Sequence, residues 1–95
     1  KLNKNYIAHI PDEISKLTLL KNLQLKGNRI ARVPESLAKL KQLEYLDLSA
    51  NEIKSLPKDI SNWKSIKTLL LMGNEFSNGE QKRIKAELPN TTIYF

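Results

Sequence analysis

Asparagine recurs at positions 5, 28, 51 and 74, a constant interval of 23 residues, and the apolar residues around it recur in register. No other feature constrains the fold as strongly. A 23-residue unit is too short to enclose its own apolar face and must bury it against the next unit. The chain therefore has to be a stack of like units, read in columns.

Leu2, Leu25, Leu48 and Leu71 stand three residues before each Asn, and Ile7, Ile30, Ile53 and Phe76 two residues after it. Further columns are Ile10, Val33 and Leu56; Pro11, Pro34 and Pro57; Ile14, Leu37 and Ile60; and Leu17, Leu40 and Trp63. The consensus is L-x-x-L-x-L-x-x-N-x-I-x-x-[LV]-P-x-x-[IL]-x-x-L-x-x. Side chains alternate along a strand, so the leucines of L-x-L point to one side of a short strand. The Asn stands where the chain turns off that strand. Turned inward, its amide satisfies backbone groups of its own and the adjacent unit that would otherwise be buried unpaired. Gly27, Ala50 and Gly73 keep the corner before it free of bulk. The recurrent Pro, with fixed φ and no donor, suits an outer return segment.

The two ends differ. Lys1-Leu2-Asn3-Lys4-Asn5 begins inside a strand with no polar cap before it. That predicts a longer array upstream and makes edge-to-edge association at this end possible. After Phe76 the columns break: Gly79 replaces the apolar residue, Glu80 the Pro and Arg83 the Ile. Residues 78–88 are expected to form a short helix, capped by Asn78 or Ser77 and stopped by Pro89, with Ile84 and Leu88 on one face. Thr91 to Phe95 are expected to add a closing strand. A strict interval of 23 would turn Thr92 and Tyr94 inward; one inserted residue would turn in Ile93 and Phe95, the more apolar and preferred pair.

These residues resemble the leucine-rich repeats of the 23-residue L-P-x-x-I type over nearly the whole chain. The ending, Ile84-x-x-x-Leu88-Pro89-Asn90 and Ile93-Tyr94-Phe95, is similar to the C-terminal cap of bacterial repeat proteins, notably spirochaete and Bacteroidetes-like ones. The resemblance implies an α/β fold: a right-handed solenoid with parallel strands on its concave face and a short helical cap. It also implies a protein-interaction scaffold. The expected layout is one domain over 1–95, with a partial first repeat at 1–19, repeats at 20–42 and 43–65, the last repeat starting at 66–77, and the cap at 78–95.

Within that solenoid the variable strand positions face the concavity and are free to serve recognition. They fall into three columns: Asn22, Tyr45 and Thr68; Gln24, Asp47 and Leu70, with Lys1; and Lys26, Ser49 and Met72, with Asn3. The N-terminal part is polar and basic, whereas Tyr45, Leu70 and Met72 are apolar. Either those three form an exposed anchoring patch, or the closing strand and helix cover Leu70 and Met72 as part of the cap. Five strands at ~4.8 Å spacing and five residues at ~3.4 Å give a face of roughly 400 Å². A standard interface takes about 800 Å² per partner, so the chain is expected to hold part of a binding surface.

Net charge is +6, which raises the question of an acidic partner. Lys16, Lys39 and Lys85 share one return-segment column, and Lys41 and Lys64 another. Such a stripe could meet phosphates or an anionic surface, but no aromatic platform or groove-shaped helix accompanies it. A solvated back is the commoner reading, and nucleic acid is not favoured. With no Cys and a single His, the chain has no thiol nucleophile, no Cys-based zinc site and no second His for a metal site. His9 is expected to be exposed. No phosphate loop is present, and Glu44 and Asp47, three apart on a strand, do not form an acid/base pair. Asn90-Thr91-Thr92 is a glycosylation triplet, read here as a turn. No apolar run is long enough for a membrane span and no signal peptide is visible, which favours a cytoplasmic setting, or export if an upstream signal exists.

The expectation is non-catalytic recognition of a protein partner through the concave strands, without metal or cofactor. The alternatives are electrostatic binding by Lys39, Lys41 and Lys64, or a capped end that only supports repeats elsewhere.

Overall fold

The computed structural model describes residues 6–95, so the expectations placed on Lys1, Asn3 and Asn5 lie outside it. Among the described residues, four three-residue strands form one parallel sheet in sequential order: β1 (Asn22–Gln24), β2 (Tyr45–Asp47), β3 (Thr68–Leu70) and β4 (Thr92–Tyr94). The 23-residue period becomes the sheet register, with Asn22 beside Tyr45 beside Thr68, and Leu23 beside Leu46 beside Leu69. A column in the sequence is thus a row across the sheet. Leu25, Leu48, Leu71, Ile30, Ile53, Leu37, Ile60, Leu40 and Trp63 are all buried behind it. Leu17, expected in the core with Leu40 and Trp63, is 51% exposed instead. Among the described residues, no unit stacks on the far side of the first return to cover it.

The asparagines act as the columns require. Asn51 Oδ1 accepts Ile30 N–H of the preceding unit at 3.1 Å. Its Nδ2 donates to Leu48 O of its own unit and to Leu25 O of the preceding one, both at 3.0 Å. Asn74 repeats this with Ile53 N–H at 2.9 Å, Leu71 O at 3.0 Å and Leu48 O at 2.9 Å. Asn28 accepts Ile7 N–H and donates to Leu25 O. Each Asn rivets two units together through backbone groups that the sheet leaves unpaired. The corner before it is left-handed: φ is +74° at Gly27, +56° at Ala50 and +74° at Gly73. The need is therefore a positive φ as well as small size.

The returns are helical but not uniform. Pro11 and Pro34, at φ −70° and −73°, immediately precede a 3-10 turn (Asp12–Lys16) and the short helix α1 (Glu35–Ala38). Their carbonyls accept Ile14 N–H and Leu37 N–H, both at 3.1 Å. In the third return the corresponding carbonyl, Pro57 O, accepts from Arg83 Nη2 at 3.3 Å. The helical turn is displaced to Ser61–Ser65, where Asp59 Oδ1 takes Ser61 N–H at 3.0 Å.

Arg83 belongs to the cap helix α2 (Asn78–Glu87), whose N-cap is Ser77: its Oγ accepts Glu80 N–H at 3.1 Å. Ile84 and Leu88 are buried as expected. The break in the columns has a function of its own. The Arg83 guanidinium donates to Leu56 O at 3.1 Å, Pro57 O at 3.3 Å and Lys58 O at 3.2 Å, and is held by Glu80 and Glu87. Glu80 Oε2 accepts Leu56 N–H at 2.9 Å. One ion-paired cluster thus satisfies the polar backbone of the last return. Beyond it, β4 pairs at an interval of 24, with Leu69 beside Ile93. The inserted residue turns in Ile93 and Phe95, and Phe95 meets Phe76 edge-on at 5.9 Å.

Candidate interaction surface

Because the leucines of each L-x-L turn inward, the residues between them form the opposite face of the sheet. Three rows run across it. The first is Asn22, Tyr45, Thr68 and Thr92; the second is Gln24, Asp47, Leu70 and Tyr94. The third, continued by the 23-residue interval, is Lys26, Ser49 and Met72.

The rows are not equally open. Asn22 and Lys26 are exposed, and Gln24, whose Nε2 donates to Asn22 Oδ1 at 3.1 Å, is half-buried. Tyr45, Thr68 and Leu70 are half-buried, while Met72 is 39% and Tyr94 49% exposed. Asp47 and Ser49 depart from expectation: they retain only 7% and 3% exposure. Ser49 donates to Asp47 Oδ1 through both its N–H at 3.0 Å and its Oγ–H at 2.6 Å, folding the two side chains onto the sheet. Larger neighbours in register, Gln24 and Leu70 beside Asp47, flank them.

Met72 keeps 39% exposure beside the cap, whereas Leu70 is half-buried with Tyr94 of the closing strand as its register neighbour. Helix α2 engages the third return through Arg83. Strand β4 lies beside β3 and adds Tyr94 to the Leu70 row. The described face is therefore polar and basic at β1, carries a sunken carboxylate at β2, and is apolar at β3 and β4. Tyr94 stands outside the columns chosen from sequence. The alternation of Ile93 and Phe95 was its signal, because turning those two inward turns Tyr94 outward.

The return side offers different chemistry. An open groove of about 570 Å³ is lined by residues that include His9, Asp12, Arg32, Glu35 and Lys39, a mixture of both charges. His9 is exposed there, and the Ser36 hydroxyl lies 3.4 Å from Asp12 Oδ1, not beside His9 in a nucleophile–base pair. Lys16, Lys39, Lys41, Lys64 and Lys85 are exposed as expected. The Lys85 ammonium lies 5.6 Å from the Phe95 ring centre. Among the described residues no group of His, Cys, Asp and Glu is placed to hold a metal ion, and no helix is long and apolar enough to cross a membrane.

Shifted acid–base groups lie on the returns and cap. The Arg83 hydrogen bond holds Glu80 below the ordinary glutamate range against the opposing effect of burial. Glu80 in turn, with Glu87, raises Arg83. The Ser61 hydroxyl and N–H lower Asp59.

Comparison with known proteins agrees with this architecture. A family model described as a leucine-rich repeat region matches residues 1–93. Among solved structures, a leucine-rich-repeat protein of Leptospira interrogans is similar at 36% identity and a TM-score of 0.93, over 96% of this chain. The chain spans 23% of that protein's length. No curated protein matches the chain. A 23-residue register, an asparagine ladder joining successive units and a family match over almost every residue lead to one assignment: the chain belongs to the leucine-rich-repeat family.

Proposed function

We propose that this chain is a non-catalytic protein-recognition scaffold that holds a partner against its strand face, centred on β2 to β4. Leucine-rich repeats serve in general as interaction scaffolds, and no step of that role requires a reacting group. One observation carries the choice of face: Leu70 in β3 and Tyr94 in β4 are register neighbours, Met72 follows two residues after Leu70, and Leu70 is half-buried while Met72 and Tyr94 are exposed. Leaving large apolar side chains in water on a regular sheet has no structural benefit, whereas apolar and aromatic anchors of this kind dominate interface cores. The small area of the face and the chain's 23% share of its solved relative fit a surface that further repeats would enlarge.

The test uses Met72→Glu combined with Tyr94→Glu, since both side chains are exposed and neither supports the core. Proteins captured by the wild-type chain should be lost or much weakened with the double variant. Far-ultraviolet circular dichroism and melting temperature should stay near wild type. Equal capture by both forms would remove the strand face from consideration.

A further inference from the structure

Asp47 lies on the floor of this face. It is more than nine-tenths buried, yet among the described residues no ammonium or guanidinium lies within salt-bridge distance of it. Both of its hydrogen bonds, from Ser49 N–H and Ser49 Oγ–H, fall on the same oxygen, Oδ1. No buried side-chain oxygen or nitrogen among the described residues lacks a partner, so the second oxygen, Oδ2, must still reach solvent. The small exposed remainder of Asp47 therefore includes the carboxylate oxygen that nothing holds. A carboxylate with one oxygen bonded and the other reaching solvent through a small opening keeps an acceptor and a charge that a cation can meet. Its neighbours in register are Gln24 on β1 and Leu70 on β3, the latter followed by Tyr94, so the carboxylate stands at the edge of the apolar stripe.

We propose that Asp47 anchors a cation subsite: the partner segment presents an arginine or lysine side chain to Oδ2 and seats an adjacent apolar residue on Leu70, Met72 and Tyr94. The inference rests on reading the strand face as the recognition surface, and it adds the chemistry of what is recognised. Ser49 orients the carboxylate without neutralising it, so the pair is preorganised for a charge-assisted hydrogen bond from outside. Such a bond on a largely desolvated floor gives specificity, because a partner without the cation covers a charge and leaves it unmatched.

The experiment selects ligands from a random-peptide phage library on the whole chain and measures synthetic copies by fluorescence anisotropy. Selected peptides should carry Arg or Lys close to a large apolar residue. Asp47→Asn keeps an Oδ1 acceptor for both Ser49 donors but removes the charge, and should weaken binding by about tenfold to a hundredfold. Replacing the peptide arginine by neutral citrulline should weaken binding to the wild-type chain by a similar factor. The two changes together should cost little more than either alone. Peptides weakened by Met72→Glu and Tyr94→Glu but indifferent to Asp47→Asn and to citrulline would overturn the cation subsite while leaving the strand-face reading intact. Peptides indifferent to all of these changes would overturn both. A library that yields no binder also counts against the subsite.

Discussion

Replacing Asn51 by leucine removes one rung of the asparagine ladder while keeping the branched heavy-atom skeleton, and the structure limits the hydrogen-bonding cost. Four hydrogen bonds disappear: Ile30 N–H to Oδ1, and Nδ2 to Leu25 O, Leu48 O and Ser49 O. Three of the acceptors keep another donor. Leu25 O retains Asn28 Nδ2 at 2.9 Å, Leu48 O retains Asn74 Nδ2 at 2.9 Å, and Ser49 O retains Gly27 N–H at 3.0 Å. Ile30 N–H retains no acceptor among the described residues, and Ile30 is fully buried. One orphaned buried donor costs about 1–3 kcal/mol, and the weakened carbonyls add about 1 kcal/mol more. The expected loss is about 2–4 kcal/mol, a drop in melting temperature of roughly 10–30 °C for a domain of this size. Asn51→Asp separates the two halves of the amide. One oxygen can still accept Ile30 N–H, but the other now faces carbonyl oxygens where a donor stood. The folded-state carboxyl is thereby raised above its unfolded value, so the folded form binds more protons in the interval between them. Stability of this variant relative to wild type should be lowest at neutral pH and recover as pH falls through the raised folded value. Urea denaturation of wild type, Asn51→Leu and Asn51→Asp across pH 4 to 8 reads both effects. A leucine variant within about 1 kcal/mol of wild type would refute the orphaned-donor argument. An aspartate variant whose deficit is flat with pH would refute the account of the carbonyl side.

Three further outcomes follow from the structure. Arg83→Met should loosen the last return by about 2–3 kcal/mol, because Leu56 O, Pro57 O and Lys58 O lose their shared donor. Because Arg83 lowers Glu80 in the folded state, the wild-type contribution is present above the ordinary glutamate range and lost as pH falls through the lowered value; urea titrations in acid should show that limb shrink in Arg83→Met. Trp63, fully buried, donates Nε1–H to Leu37 O at 3.1 Å. Trp63→Phe should cost about 1–3 kcal/mol by denaturant titration, and Trp63→Leu more, because it adds a larger void to the same lost bond. Ala50→Gly should stabilise the chain by up to about 1 kcal/mol, because it relieves a φ of +56°. Gly73→Ala should do the reverse, its new Cβ lying 3.1 Å from the Ala50 backbone; paired thermal melts would check both signs.

The solenoid, its strand register and the ladder were legible in the sequence because every unit solves the same packing problem with the same residues. Leu46 meets Leu69 for the reason that 23 positions separate them, and Asn51 reaches Leu25 and Ile30 because its equivalents reach theirs. The inward turn of Ile93 and Phe95 was also readable, since apolar burial chose between two registers. What escaped was everything belonging to one unit only. Nothing in the columns marked Arg83 as the donor that takes three carbonyls of the third return, up to 27 residues away, and so displaces its helical turn. Nor did alternation along β2 reveal that Asp47 would sink to 7% exposure, since strand period decides which face a side chain leaves by but not how high its neighbours stand. Repetition is local information copied along the chain, so the sequence carries the scaffold. The depth of a carboxylate and the reach of a guanidinium are set by side chains that meet only once the units have stacked, and those belong to the tertiary structure.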